Sequence, residues 1–268
     1  MTSTSGSRWW MGLLVTVASC TIAIQECCGQ ALETESARAL KKGAYEMGTA
    51  FEFQRSTDGT ERTVPLAIEY GVTDRLSALV EPVAYTAIRP KSSPAATGVG
   101  DLEVTAFYLF ASETTSRPAL AAAAETKFPT THNDLIGTGK VDFTTYLIAS
   151  KRFGRLDTHA NLGYTFVGSP PGPRLANTIN GALAGEFHIV EKAEVFAEVL
   201  GVTSSAPAGG GDNPSNPSSV APEAAGGEIV GTVGAGVFPA PHLLVSLGLS
   251  YDNNHAMLLR PGVTYRLR

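Results

Sequence analysis

From Asp157 to Val167 the chain changes character at every residue. Thr158, Ala160, Leu162, Tyr164 and Phe166 fall on one side, and His159, Asn161, Gly163, Thr165 and Val167 on the other. Successive side chains of a strand point to opposite faces, so this stretch is a ribbon with one greasy face and one polar or small face. The same period recurs along most of the chain. No segment beyond residue 31 approaches the ~18 consecutive apolar residues of a membrane-crossing helix; the longest candidate is Pro118 to Ala124. A membrane protein built without such segments must close its strands into a barrel, because only a helix or a closed sheet satisfies every backbone hydrogen bond in lipid.

Ala44 to Ser56 sets Tyr45, Met47, Thr49, Phe51 and Phe53 against Glu46, Gly48, Ala50, Glu52 and Gln54. Thr63 to Tyr70 sets Val64, Leu66, Ile68 and Tyr70 against Pro65, Ala67 and Glu69. Leu76 to Tyr85 follows, with Pro82 as a local irregularity. Gly100 to Phe110 opposes Leu102, Val104, Ala106, Tyr108 and Phe110 to Asp101, Glu103 and Thr105. Pro118 to Pro129 turns Glu125 and Lys127 away from Leu120, Thr126 and Phe128. Lys140 to Arg152 is a strand whose facing the pattern leaves unassigned. Asn177 to Ile189 places Ile179, Leu183, Phe187 and Ile189 opposite Asn180, Glu186 and His188. Ala193 to Thr203, Glu228 to Val237, the alternation of Leu243 to Tyr251, and His255 to Arg268 complete the series.

The even-numbered connections are short turns, and four of the others are longer polar loops, up to the Gly/Pro/Ser/Ala tract of Ser204 to Gly227. Membrane barrels show this asymmetry, with short periplasmic turns and longer extracellular loops. Tyr45, Tyr70, Phe110, Phe128, Phe187, Tyr251 and Tyr265 sit near strand ends, where interfacial girdles belong. A soluble β-sandwich or lipocalin-like barrel competes for any one strand. The joint pattern predicts an all-β, antiparallel transmembrane β-barrel of about twelve strands, spanning residues 44–268. The charged stretch 32–43 is expected as a periplasmic lead-in, short and helical or frayed.

Residues 1–31 read as a signal peptide. Arg8 precedes the largely apolar run of Trp9 to Ile24, and the small residues Gly29 and Ala31 fit cleavage after Ala31. Thr16, Ser19, Cys20 and Thr21 interrupt the run, which argues against a membrane anchor. Val17 to Cys20 also fits a lipoprotein processing box, against which the apolar run continues past Cys20. All three cysteines, Cys20, Cys27 and Cys28, lie in this leader, so the expected mature chain has no disulfide, thiolate metal site or cysteine nucleophile. The net charge of −5 excludes a strongly basic nucleic-acid binder. Charged residues make up only 17% of the chain, below the ~25% of an ordinary soluble domain.

Several segments carry a family resemblance. Gly98-Val99-Gly100-Asp101, Lys127-Phe128-Pro129-Thr130, Gly137-Thr138-Gly139 with Asp142, Ser150-Lys151-Arg152 with Gly154, and His159 to Tyr164 resemble the outer-membrane barrels grouped under the MetA pathway of phenol degradation. The resemblance covers most of the expected mature chain and is densest from Gly98 to Gly168. It implies a transporter-like protein with hydrophobic or aromatic compounds as cargo. One departure is the C-terminus: outer-membrane barrels usually end on an aromatic assembly signal, and this chain ends Tyr265-Arg266-Leu267-Arg268.

Other constellations are weaker. Gly137 to Lys140 suggests a phosphate loop, but Asp134 stands where its first glycine belongs and Val141 where Ser or Thr is required. Gly231 to Gly236 imitates a dinucleotide motif inside a strand, where small residues of a barrel wall are the simpler reading. His132, His159, His188, His242 and His255 lack metal-ligand spacing. Neither a cofactor nor a metal is expected. A lipid hydrolase would need Ser and His in proximity with an orienting partner, and His159 with Ser150 is the pair that neighbouring strands would supply.

Charge on a lipid face costs ~2–4 kcal/mol for a midplane Lys or Arg. The polar faces are therefore expected to line the lumen, through Glu46, Glu52, Glu69, Asp101, Glu103, Glu125, Lys127, His159, Asn161, Glu186 and His188. The expected protein is an outer-membrane channel or transporter for small solutes. Its partners would be outer-membrane lipid, the barrel-assembly machinery and a small-molecule solute, without nucleic acid. A structural or adhesive barrel plugged by its own side chains, and an outer-membrane lipid hydrolase, stay open as alternatives.

Overall fold

The structure is a computed structural model that describes residues 32–171, 174–205 and 227–267. Residues 1–31, expected as a signal peptide, most of the tract 204–227 and the terminal Arg268 lie outside the described residues. Fourteen strands form one sheet: β1 (Tyr45–Ala50), β2 (Glu52–Arg55), β3 (Gly59–Gly71), β4 (Leu76–Pro90), β5 (Ala96–Gly98), β6 (Leu102–Ala111), β7 (Ala119–Phe128), β8 (Asp142–Phe153), β9 (Leu156–Phe166), β10 (Thr178–Val190), β11 (Ala193–Val202), β12 (Glu228–Ala240), β13 (Leu243–Asp252) and β14 (Met257–Leu267).

All pairings are antiparallel, and β1 pairs with β14, so the sheet closes. β1 and β2 both lie between β3 and β14 and form one wall strand interrupted at Phe51. The register sets Phe51 opposite Pro261, which accepts the Phe51 N–H at 2.9 Å but has no N–H to return. β5 only extends the far end of β4. The wall thus has twelve strands. The irregularity anticipated at Pro82 falls two residues later, where β4 skips Ala84 between Val83, opposite Pro65, and Tyr85, opposite Val64.

Period-two alternation decides what each face carries. Leu147, Leu162, Leu183, Val199, Ile229, Val233 and Leu247 all point outward and are exposed. Tyr45, Tyr70 and Tyr265 stand near one rim, and Tyr85, Phe128, Phe166 and Tyr251 near the other. The first rim carries the tight turns. The turn between β8 and β9 is Gly154 and Arg155, with Gly154 at φ 64°, a conformation glycine adopts without strain. The opposite rim carries the long connections.

Residues 32–43 do not trail from the rim as a lead-in. They run without helix from the short-turn end up into the lumen, and their backbone is hydrogen-bonded to the inner wall. The wall makes room for them. In the short-turn half of β7 the inward residues are Ala119, Ala121 and Ala123, which pack with Ala37, Phe107 and Ile148 into the buried apolar cluster. β8 faces Thr144, Tyr146, Ile148 and Ser150 inward and Phe143 and Leu147 outward. Ile148 is apolar yet inward because Ala37, itself inaccessible to solvent, covers it.

Candidate channel lumen

Beside the segment 32–41, whose Leu32 to Ser36 and Arg38 help to line it, the barrel encloses a cavity of about 870 Å³, reaching from Glu46 to Glu228 and Asp252 near the long-loop rim. Glu46, Glu52, Glu69, Asp101, Glu103, Glu125, Lys127 and Asn161 line it. His159, Glu186 and His188 also point inward, in the short-turn halves of β9 and β10, but do not line it. Sequence reading missed Glu33, Glu35, Glu61, Glu81 and Arg260 in the lining. Arg260 was readable in principle, since Leu259, Val263 and Tyr265 fix the outward parity of β14. Glu81 was hidden by Pro82 and by apolar residues on both faces of β4.

Twelve acidic and three basic residues line the cavity. Part of that charge is paired. Arg260 binds Glu33 and lies 2.8 Å from Glu52. Arg266 lies 2.6 Å from Glu46, and Lys127 bridges to Asp142. Among the described residues no Lys or Arg lies within 4.0 Å of the carboxyl oxygens of Glu35, Glu69, Glu81, Glu103 or Glu125, although Lys127 stands opposite Glu103 in the ladder. The register sets Glu46 opposite Glu69 on one side and Arg266 on the other, and Glu103 opposite Glu81 on one side and Lys127 on the other. Like charges opposite one another destabilise a sheet. Enclosure by the wall, together with the carboxylates of Glu69 and Glu125, pushes Glu35 up to about 8.

The segment is held residue by residue. Asn161 accepts the Glu35 N–H at 2.7 Å and donates to its C=O at 2.9 Å, in the amide orientation that satisfies both groups. Thr34 donates its N–H to Glu198 at 2.6 Å, Ala37 to Ser150 Oγ at 2.7 Å and Leu40 to Ser77 Oγ at 3.3 Å. Arg38 Nη2 lies 2.7 Å from Asp157 and 3.5 Å from Glu113. Asp157 also receives Arg152 at 2.5 Å and His188 at 3.3 Å, and His188 reaches Glu194 at 3.3 Å. Glu113, in the β6–β7 turn, is held below the usual carboxylate range: partial burial raises it, but the Arg152 N–H, Lys151 and Arg38 outweigh that.

Two arrangements here invite chemistry. Ser150 Oγ lies 2.7 Å from His159 Nδ1. However, Ser150 and His159 are only 1% and 3% exposed, Ser150 already accepts the Ala37 N–H, and His159 Nε2 has no partner. A hydrolytic pair needs substrate access and a group orienting the histidine. This pair has neither, and it anchors the segment. Asp157, Glu186 and His188 also bring ligand atoms within 4.8 Å of one another. Arg38 and Arg152 occupy the oxygens of Asp157, so the group is an ion-pair network and does not suit a metal. The Gly231 to Gly236 motif is wall packing: a Cβ on Gly234 would lie 2.2 Å from the Phe196 ring.

A closed antiparallel wall with an apolar exterior and a charged, partly open interior defines a barrel of the outer-membrane channel class. The chain belongs to the family described as "Putative MetA-pathway of phenol degradation", whose model matches residues 44–216. Among solved structures it is similar to the COG4313 outer membrane channel from Pseudomonas putida F1, at 14% identity and TM-score 0.67, covering 88% of this chain and 100% of that one. It is also similar to the NanC porin, at 11% identity and TM-score 0.56, covering 82% and 100%. The KdgM porin in complex with disordered oligogalacturonate matches at 12% identity and TM-score 0.55, covering 83% and 99%. No curated protein matches the sequence.

Proposed function

We propose that the barrel is an outer-membrane channel that passes small solutes and favours cations. The observation that carries this reading is the cavity of about 870 Å³, whose described lining holds twelve acidic side chains against three basic ones. Such a lumen concentrates cations and repels anions, because low-dielectric walls focus the field of their charges. A uronate oligosaccharide, the ligand in the KdgM structure, is anionic and would meet like charge here. The leader 1–31 would export the chain, the barrel-assembly machinery would insert it, and the short turns would face the periplasm. Segment 32–41 narrows that end, which also favours a second reading: a plugged structural barrel.

Current through the purified protein in a planar lipid bilayer separates the two. Steady steps in a salt gradient, with a reversal potential toward cation selectivity that shrinks in Glu103→Gln and Glu125→Gln, are expected. Silence from folded, inserted protein would leave the plugged barrel.

A further inference from the structure

The cavity is not acidic all round. Its carboxylates concentrate on β3, β4, β6 and β7, where Glu69, Glu81, Glu103 and Glu125 point inward. Half a circuit of the wall away, on β10, β11 and β12, Ala182, Leu200, Val202 and Val230 form an apolar patch of the lining, bordered by Asn180 and Thr232. Among the described residues, the carboxylates beside this patch are Glu228, opposite Val202, and Asp252, opposite Val230, both near the rim. Leu200, Val202 and Val230 occupy the long-loop halves of their strands, and Glu103 and Glu125 those of theirs, so the two surfaces face each other across one level of the lumen.

A pathway for hydrated inorganic ions has no use for an apolar wall, and a site for a neutral hydrocarbon none for like-charged carboxylates set opposite one another in the ladder. Resting on the channel reading, we infer that the cavity takes an amphipathic organic cation, an aryl- or alkyl-ammonium, with its ammonium against Glu81, Glu103 and Glu125 and its apolar body against Leu200, Val202 and Val230. The size suits this: sites of ~300–1,000 Å³ enclose most of a small organic ligand. An ammonium has three donors to divide among several acceptors, and its charge offsets the opposition of Glu81 and Glu103 in the ladder.

The test is binding to the folded full-length barrel in lipid nanodiscs, by titration calorimetry corrected with empty nanodiscs, using phenethylammonium, methylammonium, phenylacetate and phenethyl alcohol. Phenethylammonium is expected to bind at least about tenfold more tightly than each of the others, the scale on which burial of a small apolar body counts. Glu81→Gln with Glu103→Gln should remove its advantage over phenethyl alcohol, and Leu200→Asn with Val230→Ser its advantage over methylammonium. Equal affinity for the two ammonium ions, equal affinity for the amine and the alcohol, tighter binding of phenylacetate, or no binding each overturns the inference. The wild-type series decides even if a double variant does not fold. Reversal potentials on the same preparation keep the two readings apart. Cation selectivity without this discrimination sinks the cargo class and leaves the channel, and discrimination without current sinks the channel and leaves a binding barrel.

Discussion

Replacing Arg38 by alanine asks how firmly the N-terminal segment is seated. Its guanidinium lies 2.7 Å from Asp157, and the two side chains are 18% and 1% exposed. Breaking a buried pair costs ~3–5 kcal/mol when the surviving charge is stranded. Asp157 is not stranded here, because Arg152 and His188 remain. The relevant scale is therefore a hydrogen bond to a charged group, ~1.5–3 kcal/mol. Arg38 belongs to the segment and its partners to the barrel, so the loss falls on seating, not on the wall. At 1.4 kcal/mol per decade, the ratio of seated to unseated segment should fall by roughly 10- to 150-fold. Single-channel recording reads this directly: Arg38→Ala should show more frequent or longer transitions to a higher conductance than wild type. Asp157→Asn should do the same, by leaving Arg38 and Arg152 facing a neutral group. Unchanged conductance and dwell times in a barrel of normal heat-modifiable mobility would refute the reasoning, and would mean that Arg38 does not hold the segment.

Glu81→Gln should stabilise the barrel by ~0.2–1 kcal/mol, since it removes one of two like charges facing across the β4–β6 ladder; a higher urea midpoint by gel mobility would show it. Glu35 carries a raised pKa, so the stability it contributes is fully present below about 4.5 and is lost as pH rises through about 8. Wild-type unfolding midpoints should fall between pH 6 and pH 9, and Glu35→Gln should flatten that fall; identical slopes would argue that the carboxyl titrates normally. Gly234→Ala should destabilise by ~1–3 kcal/mol or more, because its methyl would lie 2.2 Å from the Phe196 ring and 2.4 Å from the Leu247 carbonyl oxygen. Phe196→Ala in the same chain should recover only part of the loss in urea midpoint, since the carbonyl contact remains.

The wall was legible because its physics is local. Each strand need only alternate, and the lipid outside makes misplaced charge costly, so the facing read at β7, β9 and β10 holds in the structure residue by residue. Reading failed where the inside of the barrel is not simply wet. Phe107, Leu109, Tyr146 and Ile148 are apolar and inward, and their reason is residues 37 and 39, far away in sequence. Alternation reports which face a residue takes, not what lies against it. For the same cause 32–43 read as a charged lead-in: nothing in Glu33 or Arg38 shows that their counter-charges wait on β14 and β9. The acidic lumen was half visible, as the parity of Glu103 and Glu125, while its asymmetry needed the strand order.

Gly43, at φ 80°, turns the chain from the rim strand into the lumen, so the segment that occupies the barrel is tethered to it by a residue or two. A short tether holds an effective concentration on the order of millimolar or above. The seated segment is therefore a ligand that the barrel cannot dilute away, however weak its individual contacts. A single cut at residue 43 would leave every one of those contacts in place and still change the problem, since the released peptide would escape at its own dissociation rate and find no such concentration on return. A protease acting at the short-turn rim would thus alter the lumen permanently without touching the wall.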